Sequence, residues 1–324
     1  MPFAIRIERT GGPEVMNWED VPVAEPAAGE ARVRHEAVGL NYIDIYHRSG
    51  LYPLPLPSGL GLEAAGVVEA VGVGVTDVQP GDRVAYAGGP VGAYSQSRCI
   101  AADRLLKLPE TISFETGAAM MLQGLTVAYL LRRTYRVQPG ETVLIHAVAG
   151  GVGLIACQWA KALGATVIGT TSSDEKAALA RAHGCDQVID YGREDVAKRI
   201  RQLTGGEGVA VVYDGVGKDT FAASLDSLRT CGMLVSFGNA SGAVPPFDPL
   251  LLSQKGSLFL TRPTLMHYTA KRSELVALAA DLFAVVAAGL VNIRINQRYP
   301  LAEVAQAHRD LEARKHTGST ILLP

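Results

Sequence analysis

The sequence predicts an α/β protein in which a doubly wound parallel sheet is joined to a smaller, β-rich domain. Three observations support this fold class. Short apolar segments alternate with helical patterns over residues 141–262, short strand-like segments separated by Gly and Pro fill residues 1–122, and a glycine-rich turn joins the first central strand to the first central helix. The 324 residues, 48% hydrophobic and 19% charged, suffice for two domains with their own cores.

The central strand, turn and helix lie within Glu141–Trp159, ETVLIHAVAGGVGLIACQW. Thr142–Ala147 is mostly apolar and β-branched, as in a buried parallel strand. After a turn with almost no side chains, apolar residues recur on a helical period over Leu154–Leu163, and Gly164 stands at a C-cap position. This order places backbone N–H groups at a helix N-terminus, where a pyrophosphate binds.

The match to the pattern G-x-G-x-x-G is imperfect, because Ala147 holds the first glycine position. A purely structural turn before a buried helix is therefore an alternative. The segments downstream favour a dinucleotide-binding domain, since strands and helices alternate with short loops. The predicted strands are 165–171, 187–191, 209–213, 234–237 and 257–261, with a helix over 174–183.

The tip of the second central strand predicts which dinucleotide binds. Folds that bind NAD usually carry an Asp or Glu there, which bonds the ribose 2′-hydroxyl. Here the tip is 170–173, TTSS, and Asp174 and Glu175 suit the first turn of the following helix. Lys176 lies one turn in, and Tyr191 ends the third strand beside the expected adenosine. Hydroxyls and a lysine favour NADP(H); the alternative is an ordinary capped helix with a solvated lysine.

Composition and charge exclude several other classes. The net charge is −2 and no long run of one sign occurs, so the sequence does not indicate a basic surface for nucleic acid. The cysteines at 99, 157, 185 and 231 have no metal-ligand spacing, and we expect small core residues rather than disulfides. We expect His146 to be a hydrogen-bonded core histidine. The N-terminus lacks an apolar signal core and no long apolar run follows, so the sequence predicts a cytoplasmic protein.

The first 122 residues predict a compact β-rich domain. Gly59–Gly74 is apolar and punctuated by glycines, which favours an internal hairpin. A helix is expected to start near Asn41 within Asn41–Gly50, and Ser113–Leu131 is predicted to be helical. The remaining strand-like segments are 4–9, 31–39, 65–71 and 83–86.

Long motifs recur in a fixed order: GGPEVM at Gly11, GLNYIDIYHRSGLYP at Gly39, PSGLGLEAAGVVEAVGVGV at Pro57, HAVAGGVGLIACQWAKALGA at His146 and VVYDGVG at Val211. Over essentially its whole length the chain resembles the zinc-independent quinone oxidoreductases of the medium-chain dehydrogenase/reductase superfamily, which include ζ-crystallin. The resemblance implies a GroES-like catalytic domain over 1–122 and 263–324 and a Rossmann NADP(H)-binding domain over 123–262. It also implies NADPH-dependent reduction of quinones.

Departures from the superfamily's zinc-dependent alcohol dehydrogenases predict chemistry without a metal. Those enzymes carry a Cys near the position of Asn41 and a His-Glu pair where this chain has Leu62-Glu63, and their cysteine-rich structural zinc loop is missing here. The three protein ligands that a catalytic zinc needs are therefore not available. Hydride delivery to a conjugated acceptor needs less stabilisation than alkoxide formation, because the charge moves onto a conjugated oxygen.

Asn41 and Tyr46 are the candidate catalytic residues, since an amide N–H and a phenol O–H can donate to the acceptor oxygen. Tyr52 and Thr126 are expected to line the pocket. The resemblance also puts Asn41, Tyr46 and Thr126 at the cofactor. The other cofactor positions it implies are Gly150, Gly151 and Val152 at the pyrophosphate, Ser172, Lys176 and Tyr191 at the 2′-phosphate, Val216, Phe237, Gly238, Phe259 and Thr261 at the adenosine or nicotinamide ends, and Arg314, on the C-terminal helix, over the phosphates.

Two other functions stay open. One is a zinc-free, NADPH-dependent enone or alkenal reductase on the same scaffold. The other is an NADPH-binding protein with an RNA-binding or structural role, as in ζ-crystallin relatives, although the near-neutral charge and the lack of a basic aromatic stripe argue against RNA. Ser257–Leu260 is a candidate edge strand, and the resemblance implies that such edges pair in a homodimer.

Overall fold

The computed structural model describes all 324 residues, which form sixteen strands and ten α-helices. The strands are β1 Phe3–Ile7, β2 Asn17–Asp20, β3 Glu30–Leu40, β4 Ser58–Gly59, β5 Glu63–Val71, β6 Arg83–Ala87, β7 Ser97–Ala101, β8 Leu106–Lys107, β9 Thr142–Ile145, β10 Thr166–Thr171, β11 Gln187–Asp190, β12 Val209–Asp214, β13 Leu228–Ser236, β14 Phe259–Thr261, β15 Ile295–Pro300 and β16 Ser319–Leu323. The helices are α1 Tyr42–Ser49, α2 Phe114–Tyr129, α3 Gly151–Ala162, α4 Asp174–Ala182, α5 Val196–Leu203, α6 Phe221–Ser227, α7 Leu250–Gln254, α8 Leu265–Tyr268, α9 Arg272–Ala287 and α10 Val304–Glu312. None of the helices has the length and apolar character needed to cross a membrane.

The chain forms two compact units. The first contains Met1–Leu125, Tyr268–Ala287 and Ile293–Pro324, and the second contains Thr126–His267 and Ala288–Asn292. The short segment Ala288–Asn292 lies inside the return that the sequence assigned to the catalytic domain. It packs with the second unit, where the side chain of Gln158 donates to the carbonyl of Asn292 at 3.1 Å and accepts from its N–H at 2.9 Å.

The second unit is built on a six-stranded sheet in the order β11-β10-β9-β12-β13-β14, and every neighbouring pair is parallel. The predicted doubly wound sheet is thereby confirmed. Short β-branched runs such as Val209–Asp214 are buried along their whole length, because helices cover both faces of a parallel sheet. The strand order reverses between β9 and β12, and ligands of such sheets bind beyond the carboxyl ends of the strands at this switch point.

Two element boundaries in this unit differ from the prediction. Helix α3 begins at Gly151 rather than Leu154, since the small residues of the turn already take helical geometry. Strand β13 begins at Leu228 rather than Leu234, and its pairing with β12 shifts register between Val209 and Val211. The irregularity breaks the apolar pattern that the sequence prediction relied on.

The first unit contains a seven-stranded sheet, β15-β16-β3-β5-β6-β8 with β7 also on β3, and a three-stranded sheet, β2-β1-β4. The predicted hairpin over Gly59–Gly74 is wrong. Strand β4 pairs with β1, whereas β5 pairs with β3 and β6, so this segment passes from one sheet to the other. Gly61, with φ at +84°, takes the left-handed turn between them.

Candidate functional site

The glycine turn leaves space where a ligand backbone can approach. Gly150 is the N-cap of α3 and has no side-chain cap, so the first N–H groups of the helix lack partners within it. A Cβ on Gly153 would lie 2.5 Å from the carbonyl oxygen of Ala147 and 2.6 Å from that of Val148, which only glycine avoids. A Cβ on Gly150 would meet only the Ala147 oxygen, at 3.3 Å. The turn therefore closes tightly on the protein side, is open on the other, and fits a pyrophosphate.

A buried hydrogen-bond relay runs beneath this turn. The hydroxyl of Ser224 donates to Asp214 Oδ2 at 2.8 Å, so its oxygen accepts from Nε2–H of His146 at 3.0 Å. The bare Nδ1 of His146 then accepts from the Thr170 hydroxyl at 3.0 Å, and the Thr170 oxygen accepts from the backbone N–H of Ala147 at 3.3 Å. Every link in the relay has one donor and one acceptor, which fixes a single imidazole tautomer.

The relay joins the carboxyl ends of β9, β10 and β12. Asp214 also accepts from the backbone N–H groups of Val216 and Gly217, at 2.8 and 3.1 Å. Burial lowers the pKa of His146, although the neighbouring charge of Asp214 opposes that shift, so the neutral form that the relay requires is favoured. The prediction of a hydrogen-bonded core histidine is confirmed, and the relay ties together the carboxyl ends of three strands.

The predicted 2′-phosphate residues follow the ends of two neighbouring strands, with Ser172 and Lys176 after β10 and Tyr191 after β11. Ser173 caps α4 by accepting from the N–H of Lys176 at 3.3 Å, and Asp174 and Glu175 occupy the first turn, as predicted. Ser172 is exposed at the tip itself. Tyr191 is 44% exposed, and its N–H donates to the Thr171 carbonyl at 3.2 Å, which holds the loop after β11 against β10.

The other residues of the second unit that were predicted to contact the cofactor lie on several different elements. The ring of Phe237 packs on Gly215, where a Cβ would lie 3.0 Å away, and a Cβ on Gly238 would lie 2.3 Å from the Gly215 oxygen. Phe259 and Thr261 lie on β14 at the edge of the sheet, beside Met233 and Val235 of β13. Thr126 is buried in α2, Gly151 and Val152 open helix α3, and Val216 lies in the loop after β12.

One predicted placement is wrong. Helix α10 ends at Glu312, and Arg314 lies beyond it with φ at +59°. A non-glycine residue in the left-handed region marks a helix that has already terminated. Arg314 therefore does not extend from the C-terminal helix.

In the first unit, the side chain of Asn41 lies within a chain of hydrogen bonds. Its amide nitrogen donates to Glu63 Oε2 at 2.6 Å, and its amide oxygen accepts from Gln123 Nε2 at 3.1 Å. Gln123 in turn accepts from the Ser319 hydroxyl at 2.8 Å, while Glu63 Oε1 accepts from the N–H of Leu122 at 2.7 Å. The chain fixes the amide plane of Asn41, and Glu63 holds one end of that amide.

Burial raises the pKa of the Glu63 carboxyl to about 8, while the Asn41 amide and the Leu122 N–H pull it down. The carboxyl of Asp44, in the first turn of α1, shows the same effect, and burial raises its pKa to about 7. Two buried carboxyls thus border the backbone and amide of Asn41, because Asp44 Oδ2 accepts from the Asn41 N–H at 2.9 Å.

Helix α1 is held in place by polar contacts that the sequence did not predict. The Tyr94 hydroxyl donates to Asp44 at 2.8 Å and contacts His308 Nε2 at 3.1 Å. Arg48, almost fully buried, pairs with Glu312 at 2.6 Å. On the same helix Tyr46 is buried, and its ring lies 5.1 Å from that of Tyr52 in an edge-on arrangement. Asn41, Tyr46 and Tyr52 are therefore presented by one anchored segment.

Comparison with known proteins identifies the family of both parts of the chain. Residues 27–110 match the family model "Alcohol dehydrogenase GroES-like domain", and residues 151–284 match "Zinc-binding dehydrogenase". A quinone oxidoreductase of Pseudomonas aeruginosa is 57% identical, with 100% of both chains covered. The solved Escherichia coli quinone oxidoreductase complexed with NADPH is 50% identical, with a TM-score of 0.98 over 99% of this chain and 100% of that one. A 2-haloacrylate reductase of Burkholderia is 46% identical over 100% of this chain and 99% of its own length.

The chain belongs to the quinone oxidoreductase family of the medium-chain dehydrogenase/reductase superfamily.

The donor set at Asn41 does not fit the zinc that the second family description names. Both polar atoms of the Asn41 side chain are engaged, and an amide is a poor substitute for a thiolate at zinc. Nowhere in the structure do three or more His, Cys, Asp or Glu side chains form a group that could hold a metal ion.

Proposed function

We propose that the chain reduces quinones by hydride transfer from NADPH, without a metal. The observation that carries this proposal is the Asn41–Glu63–Gln123 chain, which stands where metal ligands would be needed for alcohol oxidation. Relatives named quinone oxidoreductase, 50–57% identical over the full chain, support the acceptor class. The relative solved with NADPH supports the cofactor.

NADPH, when bound, supplies the hydride, and the protein's part is to bind, orient and donate. The N–H groups of Gly151 and Val152 at the start of α3, with Gly150, would hold the pyrophosphate. Ser172, Lys176 and Tyr191 would hold the 2′-phosphate. The positions proposed to flank the adenosine or nicotinamide are Thr126, Val216, Phe237, Gly238, Phe259 and Thr261.

Asn41 and Tyr46 are proposed to donate hydrogen bonds to the acceptor oxygen as it gains negative charge. The hydrogen-bond chain through Glu63 fixes the Asn41 amide before the acceptor arrives, so little reorganisation accompanies the reaction. Tyr52, packed on Tyr46, offers an aromatic face to a planar acceptor. Asn41→Ala is therefore expected to lower kcat more than it raises the KM for NADPH.

A second candidate activity is the reduction of an alkene conjugated to a carbonyl or carboxyl group. The observation that favours it is the 46% identical relative named 2-haloacrylate reductase. The same hydride donor and the same hydrogen-bond donors would serve, because charge again develops on a conjugated oxygen. The two activities differ in the shape of the acceptor.

The test is turnover of NADPH and NADH with 1,4-benzoquinone, a larger naphthoquinone, 2-cyclohexenone and 2-chloroacrylate. Quinone turnover with a strong preference for NADPH is expected. Turnover of the enone or haloacrylate with inert quinones would replace the leading function with the second. Equal use of NADH would remove the cofactor assignment, and tight NADPH binding without turnover of any acceptor would contradict both enzymatic proposals.

We also propose that the chain forms a homodimer through β14. This strand is the edge of the six-stranded sheet, and Phe259 on it is 56% exposed, so the edge has unpaired backbone groups and an apolar side chain. Sedimentation at micromolar concentration is expected to give a dimer mass, and Phe259→Asp to shift it towards the monomer. A monomeric wild type would contradict the proposal.

The cytoplasmic location stays a prediction from the sequence.

A further inference from the structure

We propose that Arg193 is a specificity-determining residue, which favours NADPH over NADH by neutralising two carboxylates beside the 2′-phosphate position. The inference rests on the proposed function, because it assumes that Ser172, Lys176 and Tyr191 hold that phosphate. Arg193 lies on the loop after β11 and was not among the residues that the sequence suggested.

The guanidinium of Arg193 bridges the start of α4 and the end of β11. Its Nη1 lies 3.0 Å from Asp174 Oδ1 and 3.3 Å from Oδ2, and its Nη2 lies 3.3 Å from Oδ2. Its Nε lies 3.3 Å from Asp190 Oδ2. The other oxygen of Asp190 accepts from the Gly192 N–H at 2.9 Å, which shapes the loop that carries Arg193.

Both carboxylates belong to the segments that carry the phosphate residues. Asp174 follows the cap Ser173 and precedes Lys176 by two positions, and Asp190 immediately precedes Tyr191. A phosphate dianion bound there would meet two negative charges if Arg193 were absent. The ribose of NADH carries a neutral hydroxyl at the same place, so the penalty would fall on NADPH alone.

The expected size of the effect follows from exposure. The side chains of Arg193 and Asp174 are 65% and 82% exposed, so the surrounding dielectric is close to that of water. One pair of unit charges at contact distance in water is worth about 1 kcal/mol, which corresponds to about fivefold in affinity. Salt at about 1 M shortens the screening length to about 3 Å, so the effect should shrink strongly there.

The experiment measures kcat/KM for NADPH and NADH with one quinone, and the Kd of 2′,5′-ADP and 5′-AMP by calorimetry. The variants are Arg193→Gln, Asp174→Asn and the double variant. Arg199→Gln is the matched control, since Arg199 is also an exposed arginine, pairs at 3.4 Å with Glu194 of the same loop, and loses the same charge.

Arg193→Gln is expected to weaken NADPH use and 2′,5′-ADP binding about fivefold, with 5′-AMP unchanged. Adding Asp174→Asn should restore most of the loss, and about 1 M NaCl should reduce it. Equal losses in Arg193→Gln and Arg199→Gln, or no rescue by Asp174→Asn, would overturn the inference. A wild type without preference for NADPH would overturn the cofactor assignment as well, whereas a wild-type preference that Arg193→Gln leaves unchanged overturns only the role of Arg193.

Discussion

Glu63→Gln tests the hydrogen-bond chain around Asn41 most sharply. The carboxylate accepts from Leu122 N–H and from the Asn41 amide, and a Cβ on Gly39 would lie 2.3 Å from its Oε2. Glutamine has nearly the same shape as glutamate. Its side-chain oxygen can accept the hydrogen bond from the Leu122 N–H only if its NH₂ group faces Asn41. The amides of Asn41 and Gln123 can then both invert, and no hydrogen bond is lost.

The magnitude follows from the pKa of Glu63. A carboxyl whose pKa is about 8 in the folded protein, against 4.5 ordinarily, stabilises the fold below pH 4.5 and loses that contribution as the pH rises through about 8. Between pH 6 and pH 9 the wild type should therefore lose about 3 kcal/mol of unfolding free energy through this group. Glu63→Gln removes the titration and with it this part of the loss.

The assay is urea denaturation of the wild type and Glu63→Gln at pH 6, 7, 8 and 9. Asp44, with a pKa of about 7, titrates in both proteins, so only the difference between them reports Glu63. The free energy of unfolding of the variant should rise relative to that of the wild type as the pH increases, with most of the change complete by pH 8. A difference that is flat with pH would contradict a raised pKa of Glu63, because it would mean that Glu63 is ionised throughout.

Two further predictions concern the second unit. Gly153→Ala should weaken NADPH binding at least tenfold and lower the stability of the fold, because its Cβ would lie 2.5 Å from the Ala147 carbonyl oxygen. Gly150→Ala is the milder control, since its Cβ would lie 3.3 Å from the same atom. Equal effects of the two substitutions, measured by calorimetry and thermal melting, would contradict this geometry. Ser224→Ala should lower the free energy of unfolding, measured by urea denaturation, by about 1–3 kcal/mol, because it leaves a ring nitrogen of His146 without a hydrogen-bond partner. Ser227→Ala removes only a hydrogen bond to the Ala223 carbonyl in the same helix and should lower it less. An equal loss would mean that the relay does not stabilise the fold.

Local patterns predicted most of the second unit. The strand, glycine turn and helix over 142–164 depend on residues adjacent in sequence, so their order and type followed from apolar periodicity. The cap at Ser173 and the acidic first turn of α4 were also readable, because capping is decided within four residues. Helix α1 began after Asn41 for the same reason.

Contacts between distant residues were not predictable from one sequence. The relay pairs His146 with Ser224, and the chain at Asn41 pairs Gln123 with Ser319, in each case across many residues and several elements. The hairpin expected over 59–74 failed because the left-handed Gly61 sends the chain into a second sheet, which the glycine pattern alone does not distinguish from a hairpin.

The cysteines were predicted in part. All four are free, and Cys157 and Cys185 are buried as expected for core residues. Cys231 is exposed, with φ at +57°, and Cys99 is half-buried, so the expectation of core positions is wrong for these two. Burial of a small side chain depends on which sheet face covers it, and the irregular start of β13 turns Cys231 outward.

Turnover by metal-stripped protein is the decisive test of hydride transfer from NADPH to a quinone without a metal. The protein would be dialysed against a strong chelator, its metal content measured by mass spectrometry, and NADPH oxidation followed together with hydroquinone formation. Full turnover with one hydroquinone formed per NADPH, at well below one metal ion per chain, is the predicted result. Loss of turnover on stripping, with recovery on adding zinc, would contradict the account.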